Sequence, residues 1–242
     1  MDLGLKDRRA LVTAASKGLG RACAEALAHE GARVFIASRD PAAIEATGKA
    51  IKAAGWAAAD VSKEGEPEGL VEQAVAKLGG LDILVVNAGG PPRGTFQTTS
   101  VESWESAFHL TLMSAVRLVK AALPSLKQSG HGRIVFITSI SVRQPIANLV
   151  LSNSLRAGVT DLAKTLSREV APDGITVNCL APDGILTDRI RELNLTAANS
   201  PLGRFGDPSE FAAACAFLCS KPAGYITGQT LGVDGGSLLG VH

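Results

Sequence analysis

The 242-residue sequence predicts a single α/β domain in which a doubly wound parallel sheet of about seven strands is flanked by helices. Three observations lead there. Short apolar runs alternate with helical patterns from end to end, as βαβ units require. The runs Arg33-Val34-Phe35-Ile36-Ala37 and Ile134-Val135-Phe136-Ile137 are apolar without alternation, as strands covered on both faces are. No repeat or Pro/Ser-rich linker interrupts the pattern, so residues 1–242 read as one core-forming unit.

In order, strands are expected near 9–13, 33–37, 56–59, 82–87, 133–138, 175–180 and 229–233, with helices near 18–30, 41–54, 67–78, 101–127, 150–170 and 208–219. The helix at 41 has its start marked by Asp40 as N-cap and Pro41 at the favoured first position. The helix at 150 carries the apolar stripe Leu151, Leu155, Val159, Leu162 and Leu166. The longest irregular stretch, about 183–207, is too short for a second domain and is placed where a substrate loop would sit. Ligands of open α/β sheets bind at the carboxyl ends of the strands, so residues 13–20, 37–40, 60, 87–90, 138–141 and 181–187 are expected to converge on one crevice.

Charge is balanced, 24 Lys plus Arg against 23 Asp plus Glu, and no basic run or aromatic-basic interleaving occurs. Neither nucleic acid nor a membrane is indicated as partner, which leaves a small-molecule substrate. The acidic start Met1-Asp2-Leu3-Gly4-Leu5-Lys6-Asp7 lacks an apolar signal region, and no stretch reaches ~18 continuous apolar residues, so a cytoplasmic protein is expected. Cys23, Cys179, Cys215 and Cys219 stand among apolar neighbours and read as buried reduced thiols. The four histidines lack ligand spacing, and no metal site is proposed.

The chemistry-bearing motifs begin at Thr13-Ala14-Ala15-Ser16-Lys17-Gly18-Leu19-Gly20, a strand-to-helix turn. Amides at such a helix start face a pyrophosphate, and glycines let it approach. Asp60-Val61 follows the third strand, Asn87-Ala88-Gly89 the fourth, and Pro182-Asp183-Gly184-Ile185-Leu186-Thr187 the sixth. The end of the chain reads Arg204-Phe205-Gly206-Asp207-Pro208, then Tyr225-Ile226-Thr227-Gly228-Gln229, then Val233-Asp234-Gly235-Gly236. In this order the motifs resemble, over essentially the whole chain, the short-chain dehydrogenase/reductase family and within it the 3-oxoacyl-[acyl-carrier-protein] reductases. The resemblance implies a Rossmann fold and a nicotinamide dinucleotide.

By that resemblance Thr13, Ser16, Lys17, Gly18, Leu19 and Gly20 form the phosphate turn, with Ala14 where the family has its first glycine. Asp60 and Val61 would meet the adenine, Asn87, Ala88 and Gly89 the adenosine ribose, and Ile185 and Thr187 the nicotinamide carboxamide and phosphates. The dinucleotide follows from charge at the end of the second strand. An acid there holds the 2′-hydroxyl of NAD, whereas arginine welcomes a 2′-phosphate. Ser38-Arg39 stands there, with Lys17 adding a second cation and Asp40 taken by its helix, so NADP(H) is preferred and NAD(H) is possible.

The family's catalytic set is serine, tyrosine, lysine and asparagine. Here Ser139 is kept, Ser152 stands at the tyrosine, Arg156 at the lysine and Thr111 at the asparagine. The only tyrosine in the chain is Tyr225, in the C-terminal signature, so no shifted alignment restores the phenol. An aliphatic hydroxyl is a much weaker acid than phenol. Arg156 lies four residues after Ser152 on the same helical face and keeps the positive charge and the capacity to hold a ribose, in a bulkier fork. Helical geometry turns His109 away from the cleft. Asp183, where the family has glycine, is a candidate proton donor or a turn cap.

Two functional readings follow. One is an NADP(H)-dependent oxidoreductase acting on a 3-oxoacyl or ketone carbonyl, or on the alcohol, with an atypical site. The other is a catalytically inactive dinucleotide-binding sensor or assembly partner. A halohydrin-dehalogenase-like lyase would favour arginine at 156 but also needs the tyrosine. The resemblance further implies a homotetramer or homodimer packed through the helices near 101–127 and 150–170, and the irregular stretch read above as a substrate loop carries Arg189, Arg191 and Asn194.

Overall fold

The computed structural model describes residues 1–192 and 200–240. Seven strands, β1 (Arg9–Val12), β2 (Arg33–Ser38), β3 (Gly55–Ala58), β4 (Ile83–Val86), β5 (Arg133–Ile137), β6 (Thr176–Pro182) and β7 (Thr230–Val233), form one sheet of order β3-β2-β1-β4-β5-β6-β7. Every neighbouring pair is parallel. The strand order reverses beside β1, and a crevice opens at such a switch point.

The helices are α1 (Gly18–His29), α2 (Pro41–Ala50), α3 (Glu66–Leu78), α4 (Val101–Phe108), α5 (Ser114–Ser129), α6 (Val150–Glu169), α7 (Asp188–Glu192) and α8 (Pro208–Cys219). They divide the core into two layers. On one face Leu70 and Val71 of α3, Leu118 and Leu126 of α5 and Val159 of α6 pack with Leu11, Leu84 and Phe136 of the sheet. On the other, Cys23 of α1, Ile44 of α2 and Phe211 of α8 pack with Val12, Val85 and Val135. Burial from both sides is why the central strands are apolar at successive positions.

Two helix predictions needed correction. The helix begun at Pro41 ends at Ala50 rather than near 54. Lys52 turns the chain at φ +53°, and the Ala54 amide already bonds Val34 in β2. The expected helix at 101–127 runs on to Ser129 but contains a wide π turn at His109–Met113. The Ser114 amide reaches back to the His109 carbonyl, and the Ser114 hydroxyl bonds Leu110 O at 2.6 Å, satisfying backbone that the wide turn loosens.

By length and apolarity alone Val101–Ser129 would span a bilayer. Its second half packs into the core, with Ala115, Leu118, Val119, Ala122 and Leu126 buried against the sheet layer. The four cysteines are buried and unpaired. Hydrogen bonding to the Cys215 sulfur and burial push the Cys23 and Cys219 thiols well up, and burial pushes Cys179 up to about 12.

Candidate active site

The nucleotide end is built by locking β1 to β4. Thr13 is fully buried. Its hydroxyl donates to the Asn87 carbonyl at 2.6 Å and accepts the Asn87 amide at 2.9 Å. The Asn87 side chain donates to Ala14 O at 3.2 Å, and Thr47 of α2 donates to Ser16 O at 2.9 Å. The turn before α1 is therefore fixed from two elements. Lys17 precedes α1 and makes no side-chain cap, so its side chain leaves the first amides of that helix available to a ligand.

Three positions test whether this turn fits a dinucleotide. A Cβ on Gly20 would lie 2.4 Å from Ala14 O and 2.6 Å from Asn87 Nδ2, so only glycine permits the close approach of turn and strand. Gly89 is exposed, with nothing within 4 Å of where its Cβ would be. Ala14 stands at φ +48°, a left-handed backbone that costs a side-chain-bearing residue about 1 kcal/mol. The turn holds this left-handed conformation despite the methyl, and the residues fit the group.

At the end of β2, Asp40 accepts the amides of Ala42 and Ala43 at 3.0 and 3.1 Å. Its carboxylate is the N-cap of α2. Arg39 is exposed next to it. Asp60 takes the Ser62 amide at 3.1 Å and the Ser62 hydroxyl at 2.7 Å. Burial raises the Asp60 pKa, but the Ser62 hydrogen bonds and the charges of Arg39 and Lys63 outweigh it and hold the group below its usual value. Val61 beside it is buried, as is Ser38, whose hydroxyl makes a long contact of 3.4 Å with Asp40 O.

At the reaction end, Ser139 follows β5 and caps the short turn Ile140–Val142, its Oγ accepting the Ser141 amide at 3.1 Å. Accepting there leaves the Ser139 hydroxyl hydrogen free to donate elsewhere. Ser152 lies in the first turn of α6, 9% exposed, and its hydroxyl makes no hydrogen bond among the described residues. Arg156 reaches from the next turn and donates through Nη1 to Ile137 O at 2.8 Å and Thr138 O at 3.3 Å. The guanidinium is thus anchored beneath the end of the strand that carries Ser139.

Thr111 occupies the middle of the π turn, and its buried Oγ1 has no partner among the described residues. His109 is exposed and meets Phe108 edge-on, ring centroids 5.6 Å apart, on the outward side. Tyr225 is fully exposed. After β6, the Asp183 amide bonds Val233 O at 3.2 Å, and its Oδ2 accepts the Ser237 hydroxyl at 2.7 Å. Ile185 is buried and bridged to Gly206, while Thr187 Cγ2 comes within 3.8 Å of where a Cβ on Gly18 would be. The β6 loop and the phosphate turn therefore lie side by side at that point.

A cavity of about 360 Å³ lies beside Asp183, bounded by Ile185, Ile190, Ser200, Leu202 and Asp234. A hollow of about 490 Å³ at the opposite, amino-terminal ends of the central strands β1 and β4 is walled by Arg8, Arg9 and Asp82, with both arginines paired to Asp82, and faces none of the strand ends above. Of the loop residues, Arg191 is exposed and pairs with Asp188 at 2.9 Å. The Arg189 side chain and Asn194 lie outside the described residues. The π turn, the anchoring of Arg156 and the Asp183–Ser237 bond were not foreseen, and no local sequence signal marks them.

A parallel sheet that reverses at β1, with a glycine turn there and helix-borne polar groups opposite β5, defines a dinucleotide-binding α/β protein. Residues 13–237 match the family described as enoyl-(acyl carrier protein) reductase. The 3-oxoacyl-[acyl-carrier-protein] reductase FabG of Vibrio cholerae is 37% identical over 98% of this chain and 100% of its own. Human dehydrogenase/reductase SDR family member 4 is 35% identical over 96% of this chain and 88% of its own. L-sorbose reductase of Gluconobacter frateurii, solved with NADPH and L-sorbose, superposes at a TM-score of 0.95 with 32% identity, covering 100% of both chains. YwfH, an NADPH-dependent reductase involved in bacilysin biosynthesis, gives 0.93 with 32% identity over 98% of this chain and 100% of its own. The chain belongs to the short-chain dehydrogenase/reductase family.

Proposed function

We propose that the chain is an NADP(H)-dependent oxidoreductase that reduces a carbonyl of 3-oxoacyl or ketone type, or oxidises the corresponding alcohol, at a site lacking the family's tyrosine and lysine. One observation carries the choice of cofactor. Asp40, the only acid at the end of β2, is consumed as the N-cap of α2, so Arg39 sets the charge where a 2′-phosphate would lie. Solved relatives bound to or dependent on NADPH support the same reading.

Thr13, Ser16, Lys17, Gly18, Leu19 and Gly20 would hold the pyrophosphate, Ser38 and Arg39 the 2′-phosphate, and Asp60 and Val61 the adenine. Asn87, Ala88 and Gly89 would line the adenosine ribose, and Ile185, Thr187 and Arg156 the nicotinamide end. When bound, the nicotinamide supplies or takes up the hydride. Ser139, with its Oγ accepting from Ser141, donates its hydrogen to the substrate oxygen and orients it. Ser152 relays a proton between that oxygen and water, Thr111 offers a hydroxyl to the same relay, and the Arg156 charge favours oxyanion character nearby. Without a phenol this relay is weak. General acid catalysis is worth ~10²–10⁴-fold, so turnover is slow rather than absent.

A second reading, an inactive dinucleotide-binding sensor or assembly partner, is favoured by one fact: the chain's only tyrosine is Tyr225, fully exposed, and position 152 carries a serine. Assembly as a homotetramer or homodimer is proposed with either reading, since α4 exposes Val101 and Phe108. Titration with NADPH and NADH, followed by cofactor absorbance over ketones, 3-oxoacyl thioesters and alcohols, separates the readings. NADPH binding with slow turnover is expected. Binding without turnover moves the assignment to the sensor, and no dinucleotide binding overturns both.

A further inference from the structure

Beyond β7 the chain is fastened at both sides of the reaction end. Asp234 accepts the amides of Gly236 at 3.1 Å and Leu238 at 2.9 Å, closing a tight turn. The Ser237 hydroxyl then lies 2.7 Å from Asp183 Oδ2 and 2.7 Å from Asp234 O. Past it, the Leu239 amide donates to Gln144 Oε1 at 3.1 Å, and Arg143 holds Thr230 O of β7 at 2.9 Å. Asp183 ends the β6 side of the crevice, and Gln144 closes the turn that Ser139 opens on the β5 side. The segment Gly235–Gly240 therefore runs from one strand end to the other. A glycine at 183, as the family has, offers no acceptor for Ser237.

We infer that Asp183 is a positioning residue: through Ser237 it holds the C-terminal segment as a wall that restricts the substrate to compact carbonyl compounds and excludes long acyl chains. The inference rests on the oxidoreductase reading for its substrate class. Two features support it. The adjoining cavity, about 360 Å³, sits at the small end of the ~300–1,000 Å³ typical of ligand pockets. Its lining sets Asp183, Arg204 and Glu210 among Ile185, Leu202 and Phe205, so a compact carbonyl compound with polar groups finds both charged and apolar partners there.

The test uses the full chain and the Asp183→Ala, Ser237→Ala and Asp183→Asn variants, the last retaining an acceptor for Ser237. NADPH titration is performed first on each, so failure of the oxidoreductase reading is seen separately. Amide exchange at Leu238 and Leu239 then reads the fastening, and calorimetric titration of the NADPH-loaded protein with 3-oxobutanoyl and 3-oxododecanoyl thioesters reads the wall. In Asp183→Ala and Ser237→Ala, exchange at both amides is expected to rise about tenfold, the loss of one hydrogen bond. In the same variants 3-oxododecanoyl affinity rises about tenfold while 3-oxobutanoyl affinity holds, and Asp183→Asn behaves as the parent. Unchanged exchange overturns the fastening. Faster exchange without improved long-chain binding, a parent chain that binds both thioesters alike, or no thioester binding in any variant overturns the wall.

Discussion

Arg156 donates to the Ile137 carbonyl oxygen at 2.8 Å, tying the helix that carries Ser152 to the strand that leads into Ser139. A planar, permanently charged fork suits this anchoring in a way that a lysine ammonium does not match. The double variant Ser152→Tyr, Arg156→Lys restores the family's acid and its usual cation together. Cofactor absorbance with a ketone panel should show turnover rising by about 10²-fold or more over the parent, the range of general acid catalysis. Arg156→Lys alone, which loses the fork without gaining the phenol, should fall below the parent.

Ala14 is the strained point of the phosphate turn, at φ +48°. Glycine relieves a cost of about 1 kcal/mol in the fold, though part of that gain is returned because glycine frees the unfolded chain. Ala14→Gly should therefore raise the thermal midpoint slightly and tighten NADPH binding several-fold. Parallel thermal melts and fluorescence titrations check both. Gly20→Ala should do the reverse and abolish binding, because its Cβ would meet Ala14 O at 2.4 Å, a backbone atom that cannot swing aside.

Arg39 stands exposed next to an N-cap that cannot exchange its role, so the two dinucleotides should respond differently to its removal. A charge-assisted contact to phosphate is worth about 1.5–3 kcal/mol. Arg39→Ser should weaken NADPH roughly tenfold or more and leave NADH within about twofold. Equal loss for both would place the 2′-phosphate elsewhere.

Much of this was legible in the sequence because it is local. Apolar strands buried on both faces locate the sheet, Asp40-Pro41 announces a helix start, and Ala14 at a glycine position announces strain. What escaped is set by contacts distant in the chain or by backbone choice. The π turn at His109–Met113 follows a pattern of apolar residues indistinguishable from an ordinary helix. Asp183 meets Ser237 across 54 residues, and Arg156 meets Ile137 across 19, so neither bond has a sequence period to reveal it. The candidate site was thus readable as residue types, but their partners were not.

His131 shows how a group outside the site shapes stability. It is 5% exposed, with Nε2 3.1 Å from the Cys219 carbonyl at the end of α8. Burial, and then the neighbouring Arg133 charge, lower its pKa from 6.5 to about 4. The folded state therefore holds it neutral while the unfolded chain protonates it near pH 6.5. Its contribution is complete above pH 6.5 and is lost as pH falls toward 4, a cost of about 3 kcal/mol at most. Urea unfolding at pH 7.5, 6, 5 and about 4 should show this decline, over and above the carboxylates that titrate lower. His131→Gln keeps a donor for the Cys219 carbonyl and cannot take up the proton, so its stability should fall less steeply between pH 6.5 and 4. An unchanged slope would mean that the imidazole stays solvated in the fold.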